Sequence, residues 1–186
     1  AFLCGLIAGD GTFRPDGGLV HVDLWEKDAG LRADIEAAAG RVVGGAVDAG
    51  DLRLRTNATD RPVFHHNAKH ERYRLSSAPL AQALAALGFT RDTKLAVPEF
   101  VWRGDRETVA AYLRGLFVTD GTLQATEGGV TTASLASRRR ELLEEVQVLL
   151  ANFGVRCTIR RMRGAAPHAL PDGRGGTRVY TVQPLY

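Results

Sequence analysis

The chain has 186 residues, enough for one sizeable domain or for two small halves that share a core. Hydrophobic residues make up 45% and charged residues 24%, as in a globular protein, and no apolar run reaches about 18 residues, which excludes a membrane span. The net charge of +3 and the pI near 9.1 point only weakly to nucleic acid. The apolar surroundings of Cys4 and Cys157 predict buried free thiols in a reducing, intracellular compartment.

An internal repeat organises the chain. Residues 2–12 and 112–122 repeat each other at an offset of 110 residues. The matching residues include Gly5, Leu6, Asp10, Gly11 and Thr12 in the first copy and Gly115, Leu116, Asp120, Gly121 and Thr122 in the second. The apolar helical pattern at residues 31–39 also returns at residues 142–150. Two copies are too few for a solenoid, so the repeat predicts a pseudo-twofold duplication.

The first half begins with an apolar helix that carries the repeated motif. We expect this helix to end at Gly11, directly after Asp10. Residues 19–24 and 70–75 each alternate between apolar and polar side chains, the period of a half-buried strand. The apolar spacing of residues 80–87 predicts a helix that closes this half.

The second half shows the same order. Asp105 is expected to cap the second motif helix. A glycine turn at residues 128–129 precedes a predicted strand at 130–135. An amphipathic helix then runs to Gly154, and alternation at residues 155–160 predicts a further strand.

These elements define the expected domain organisation. The chain divides into a first half (residues 1–90), a linker (91–104) and a C-terminally short second half (105–186). Each half is an αββαββ-like unit with one antiparallel sheet, so the predicted fold class is α+β with a pseudo-twofold duplication.

Two aspartates stand where a helix end does not favour them. Asp10 and Asp120 follow apolar helices, whose C-terminal partial charge costs an anion roughly 0.3–1 kcal/mol. Small residues at i and i+4 would let the two helix backbones approach closely, namely Gly5 and Gly9 in one helix and Gly115 and Thr119 in the other. The facing carboxylates would then bind a hard divalent cation such as Mg²⁺, which can activate water against a phosphodiester. The alternative is that each is an ordinary Asp-Gly turn, which the duplication makes less favoured.

Residues 3–11 and 113–121 resemble the two LAGLIDADG motifs of monomeric homing endonucleases, and in particular the endonuclease domains of inteins. Residues 93–98, with Lys94 and Pro98, resemble the family's Lys-x-x-x-Pro block. Residues 137–159 and 73–89 resemble the helix-strand and strand-helix blocks of its second and first halves. The resemblance covers nearly the whole chain.

The resemblance implies an αββαββα unit in each half, with two four-stranded sheets forming a saddle on double-stranded DNA. It implies that Asp10 and Asp120, with Gly9 and Thr119 beside them, bind divalent metal ions, and that Lys94 lies near the scissile phosphate. The expected activity is a double-strand break at a long asymmetric site, made by a monomer that acts in the cytoplasm or at the nucleoid.

The strands supply candidates for reading DNA in the major groove. In the first half these are Arg53, Arg55, His70, Arg72 and Arg74, and in the second half Thr126, Thr132, Arg156, Thr158 and Arg160. The alternative for each is a solvated side chain on an exposed sheet face.

Two departures from the family pattern leave other functions open. Ala8 and Val118 replace an acid found within the family motif, and the sequence ends at Tyr186, before the helix and lysine that would close the second half. A longer parent protein or a poorly active domain would account for this. The competing functions are a DNA-binding module without catalysis, such as a decayed endonuclease or a regulator, and a maturase that binds intron RNA. Intein junction residues are missing, so self-splicing is not predicted.

Overall fold

The structure is a computed structural model that describes residues 1–53, 62–125, 128–129, 131–171 and 176–186. The chain forms two compact units, Ala1–Asp120 and Gly121–Tyr186. Both contain helices and antiparallel strands, so the predicted α+β class is confirmed. Across the described ranges, no helix has both the length and the apolar character needed to cross a membrane.

The first unit follows the order αββαββα, and two further helices come after it. Its helices are α1 (Phe2–Gly9), α2 (Arg32–Asp48), α3 (Ala78–Ala86), α4 (Glu99–Trp102) and α5 (Arg106–Asp120). Its strands are β1 (Gly11–Phe13), β2 (Val20–Trp25), β3 (Phe64–Asn67) and β4 (Arg72–Ser77). Short 3-10 turns lie at Glu26–Leu31 and Ala68–His70. The segment 91–104, the predicted linker, contains α4, which packs against α5.

Strands β1 to β4 form one antiparallel sheet in the order β1-β2-β4-β3. The register places Val22 opposite Leu75 and Asp23 opposite Arg74. Successive side chains of a strand point to opposite faces, so Val20, Val22 and Leu24 of β2 are buried while His21 and Asp23 are only partly covered. Helix α3 contacts β2. The sheet therefore has one face in the core and one polar face.

The two motif helices, α1 and α5, pack at the distance that their glycines allow. A Cβ atom added to Gly5 would lie 2.8 Å from the backbone nitrogen of Leu116, and one added to Gly115 would lie 2.7 Å from the backbone nitrogen of Leu6. Such distances are shorter than van der Waals contact, so only glycine fits at either position. The predicted close approach of the two helices is confirmed.

Side-chain caps define where two helices of this unit begin. The hydroxyl of Ser77 accepts a hydrogen bond from the backbone N–H of Leu80 at 3.1 Å and so starts α3. The carboxylate of Asp105 accepts one from the N–H of Thr108 at 2.8 Å and starts α5. The N-cap that the sequence predicts at Asp105 is confirmed.

The second unit contains two hairpins and one helix. Strands β5 (Gly121–Ala125) and β6 (Thr131–Leu135) form one two-stranded sheet, and β7 (Ala166–Pro171) and β8 (Thr177–Val182) form another. Helix α6 (Arg140–Ala151) stands between the hairpins in sequence, and its apolar stripe includes the buried Leu142, Val146 and Leu149. Gly154 follows α6 with φ of 76°, in the left-handed region that favours glycine, as the sequence predicts.

Two predictions for the segment after α6 are wrong. Residues 155–160 are all described and lie outside any strand. Instead of pairing with a neighbouring strand, the carbonyl of Cys157 accepts a hydrogen bond from the side-chain amide of Gln147 at 2.7 Å. Because the segment lacks the cover of a sheet, the Cys157 thiol is exposed, whereas Cys4 is buried as expected.

Candidate functional site

The two motif aspartates lie together at the ends of α1 and α5. Asp10 follows the last residue of α1, and its N–H donates to the carbonyl of Leu6 at 3.1 Å. Asp120 is the last residue of α5. A Cβ atom added to Gly9 would lie 3.2 Å from the carboxyl carbon of Asp120. The carboxylate of Asp120 therefore rests on the end of α1, next to Asp10.

Both carboxylates are held in an unfavourable electrostatic environment. Partial desolvation at the crowded helix ends raises the pKa of Asp10, and the negative charges of Asp28 and, more weakly, Asp23 raise it further. Desolvation likewise raises the pKa of Asp120, as does the charge of Asp10. A cation placed between the two acids would relieve both effects.

Lys94 supplies one positive charge at this site. Its ammonium donates hydrogen bonds to the carbonyl of Gly11 at 2.5 Å and, at the longer distance of 3.4 Å, to that of Ile7. The half-buried Lys94 thus covers the negative end of α1, where a cation is favoured. Its charge lowers the pKa of both Asp10 and Asp120. An ordinary solvated surface lysine does not have this arrangement.

A threonine cap in the preceding loop holds Lys94 in place. The hydroxyl of Thr93 donates to the carbonyl of Gly88 at 2.7 Å and accepts from the N–H of Thr90 at 2.8 Å. After Lys94, Val97 and Pro98 are buried. The loop is therefore anchored on both sides of the lysine.

Gly9 and Thr119 directly precede the two acids and lie against each other. A Cβ on Gly9 would be 2.8 Å from the Cβ of Thr119, which excludes a larger residue. The Thr119 hydroxyl donates back into its own helix, 3.0 Å from the carbonyl oxygen of Leu116 and 3.3 Å from that of Gly115. Their part in metal binding stays a prediction.

The donor set near the helix ends suits a hard cation that keeps several ligands of its own. Among the described residues, no group of three or more His, Cys, Asp or Glu could hold a metal ion. Two carboxylates are nevertheless the usual protein share of a Mg²⁺ site, in which water and substrate phosphate complete the coordination. Asp10 and Asp120 could hold such an ion.

The polar face of the sheet contains a charged cluster, of which the sequence predicts only the arginines. Arg74 donates to Asp23 through Nε and Nη2, each at 2.7 Å, and Arg72 donates to the same carboxylate through Nη1 at 3.2 Å. Hydrogen bonding to Arg74 holds the pKa of Asp23 below its usual range. Next to this cluster, the ring Nδ1 of His21 lies 2.8 Å from the hydroxyl of Ser76. Arg72 and Arg74 thus stand together, as predicted.

The sequence places Asp23 on the polar face of β2 but does not identify its partners. The alternation at residues 19–24 places His21 and Asp23 opposite the buried valines, on the face that also carries Trp25. The acid partner of the arginines was missed because a cross-strand pair depends on register, which the alternation of one strand does not give.

His70 is not on the strand with Arg72 and Arg74, so its predicted place is wrong. It is the last residue of the 3-10 turn Ala68–His70. Glu71 follows with φ of 48°, in the left-handed region, so the backbone turns there before β4 begins at Arg72. His70 is exposed.

The other DNA-binding candidates have different positions. Arg53 is exposed and lies after α2, outside any strand, so its predicted strand position is wrong. Arg55 and Thr126 lie outside the described residues. Thr132 is exposed on β6, opposite Gln124. Three further residues that were predicted to share a strand face are exposed but lie in the non-strand segment after α6, namely Arg156, Thr158 and Arg160.

Comparison with known proteins gives matches for the whole chain and for its second half. Residues 107–181 match a family model described as LAGLIDADG-like domain. The chain is 33% identical over 189 aligned residues to the ribonucleoside-diphosphate reductase NrdEB subunit alpha of Bacillus subtilis (strain 168), and equally to that of Bacillus phage SPbeta. Elongation factor 2 of Methanopyrus kandleri is 36% identical over 72 residues, 39% of this chain.

The chain spans a small part of these relatives, 17% of each reductase subunit and 6% of the elongation factor. Among solved structures, the crystal structure of I-DmoI in complex with DNA and Mn matches with a TM-score of 0.47 and 18% identity, over 98% of this chain and 86% of that one. The family model covers the second motif, and the first half repeats that motif at an equivalent helix end. Residues 107–181 are therefore similar to a LAGLIDADG-like domain.

Proposed function

We propose that the chain is a site-specific endonuclease that hydrolyses phosphodiester bonds of double-stranded DNA with a divalent metal ion. The observation that carries this proposal is the meeting of Asp10 and Asp120 at the ends of two helices whose glycines permit close packing. A structural role alone gives no reason for two acids to meet where partial desolvation and the charges of neighbouring carboxylates raise their pKa values.

Asp10 and Asp120 would hold the ion, with Gly9 and Thr119 beside them. The bound ion, Mg²⁺ or another divalent cation, supplies activation of water and stabilisation of the leaving oxygen. Lys94 favours the ionised form of both acids, and its fixed charge can stabilise negative charge that develops on the phosphate.

The polar face of the first sheet is the proposed DNA-reading surface of this unit. It presents Arg72 and Arg74, whose guanidinium groups suit phosphates and base edges. Because the chain carries both motifs, a single copy contains both acids. We therefore propose that it acts as a monomer on a long asymmetric site, in the cytoplasm or at the nucleoid.

We further propose that the domain is carried inside a longer protein, as the endonuclease domain of an intein. A reductase subunit and an elongation factor perform unrelated reactions, yet each contains a stretch similar to this chain that covers only 17% or 6% of its length. A stretch shared by unrelated proteins is expected of a mobile insertion. The activities of those relatives give no information about the chemistry of this segment.

The test is cleavage of a plasmid library that carries randomised targets, in Mg²⁺ or in EDTA. We expect linear product from the wild type only with metal, and none from Asp10→Asn or Asp120→Asn. The matched control is Asp34→Asn, which removes the same charge from an exposed position on α2. Specific binding without cutting would instead make the chain a DNA-binding module, and metal-independent cutting would overturn the two-acid site.

A further inference from the structure

Within the described part of the chain, the guanidinium of Arg74 bonds to Asp23 through one edge only. Asp23 occupies the side-on edge, since its two oxygens accept from Nε and Nη2 of Arg74, each at 2.7 Å. A guanidinium has five N–H donors. The two hydrogens of Nη1 and the second hydrogen of Nη2 remain, and they form the end-on fork. The Arg74 side chain is 39% exposed on the polar face of the sheet.

The position of Asp23 is itself fixed by the sheet. It lies directly opposite Arg74 in the β2–β4 register. Arg72, two residues before Arg74 and therefore on the same face, donates to the second oxygen of Asp23 at 3.2 Å. The carboxylate is thus held between two arginines and cannot swing freely. Hydrogen bonding to Asp23 also raises the pKa of Arg74, which favours the charged guanidinium.

We propose that Asp23 is a positioning residue that orients the end-on fork of Arg74 to read a guanine in the major groove. Guanine presents two acceptors there, O6 and N7, with the spacing of that fork, and no other base offers this pair. The inference rests on the proposed function, because it requires that the polar face meets duplex DNA. It assigns one specificity-determining residue and one base to this site.

The chemistry of the pair favours a base over a phosphate. A phosphate contact carries no sequence information and is strongest for an arginine with its full charge available. Asp23 offsets that charge and would repel a phosphate brought close to it. A neutral base edge with two acceptors avoids this repulsion and gains from an arginine that is already oriented.

The experiment selects bound duplexes from a randomised DNA library, with Ca²⁺ in place of Mg²⁺ so that binding is read without cleavage. The chain is compared with Asp23→Asn, with Arg74→Lys, which keeps the charge but has no fork, and with the control Asp34→Asn. Circular dichroism confirms that each variant is folded. Base frequencies at each position of the selected site are the readout.

We expect the wild type and Asp34→Asn to prefer guanine at one position by at least about fivefold, the discrimination of a good bidentate contact. Arg74→Lys should lose this preference, and Asp23→Asn should weaken it at the same position while binding all DNA more tightly. A selected site whose base frequencies are the same in all four proteins overturns the inference and leaves the proposed function standing. If the wild type selects no site, both fail. Should Asp23→Asn prove unfolded, Asp23→Glu, which keeps the charge and moves the carboxylate by one methylene, takes its place, and an unchanged guanine preference in that variant overturns the inference.

Discussion

The two motif helices are equivalent in their middle and different at their ends. Gly5 packs on the backbone of Tyr112 and Leu116, and Gly115 packs on that of Phe2 and Leu6, the same contacts 110 residues apart. At the C-terminal ends this symmetry stops. Asp10 stands beyond α1 and is solvent-accessible, whereas Asp120 is the last residue of α5 and is half-buried.

The neighbours of the two acids also differ. Lys94 bonds to the carbonyl groups at the end of α1 and so belongs to the Asp10 side, where Asp28 and Asp23 also act on the acid. Asp120 is influenced chiefly by its own burial and by Asp10. Duplication has therefore preserved the packing that brings the acids together, while the surroundings of each acid have diverged.

The largest expected effect tests the symmetric glycine contacts between α1 and α5. Gly5→Ala and Gly115→Ala each force a Cβ against backbone atoms that no side-chain rotation can relieve. We expect both to lower the free energy of unfolding by a similar amount, about 3 kcal/mol or more. Chemical denaturation measures it. The control is Gly40→Ala in α2, where an added Cβ meets nothing within 4 Å and alanine should slightly stabilise. Clearly unequal losses would contradict the symmetry.

The next effect tests the asymmetric end of α1. Lys94→Met removes the charge beside both acids and the donor to the carbonyl of Gly11. We expect cleavage to fall about 100-fold, as for the loss of one well-placed donor. Because Lys94 lowers the pKa of both acids, the acidic limb of the cleavage profile should move to higher pH. The control Arg41→Met removes an exposed charge from α2. A fall in cleavage without a shifted limb would mean that Lys94 does not act through the ionisation of the two acids.

The beginnings of the two helices provide a third test. α5 begins at Asp105, whose carboxylate accepts the N–H of Thr108, while α1 follows Ala1 without a side-chain cap. Asp105→Ala should lower the melting temperature. The hydrogen bond lowers the pKa of Asp105, so its stabilisation is present above the usual carboxyl pKa and is lost as the pH falls through the folded value. Melting curves of both proteins from pH 7 to pH 2 should therefore converge in acid. A constant difference would contradict the cap.

The packing of the two motif helices could be predicted from the sequence, whereas the surroundings of the two acids could not. The helix packing was predictable because it depends on glycine spacing within each helix, which the repeat displays twice. The cap at Asp105 was predictable because it is local. The place of His70 was not, because a single residue with positive φ, Glu71, separates it from the strand.

Contacts between residues far apart in the sequence were the main feature that could not be predicted. The partner of Arg74 depends on the register between β2 and β4, which one strand's alternation cannot give. Residues 155–160 alternate as a strand does, but alternation only permits a strand, and pairing requires a neighbour at the right distance. The sequence therefore located the acids better than the side chains around them.

The smallest expected effect is on the stability of the metal-free protein when one of the two acids is replaced. Asp120→Asn should stabilise the metal-free protein at neutral pH by a few tenths to about 1 kcal/mol, because it removes an anion from a helix C-terminus. The folded pKa of Asp120 is raised, so its destabilising effect is full above that value and disappears as the pH falls below the unfolded one. Denaturation in EDTA at pH 7 and pH 3 should show the difference only at pH 7.

Added Mg²⁺ should then stabilise the wild type and leave Asp120→Asn unchanged, since a metal site would turn the repulsion between the acids into binding free energy. A variant that is less stable than the wild type in EDTA would mean that the carboxylate serves the fold, and the metal site would lose its main support.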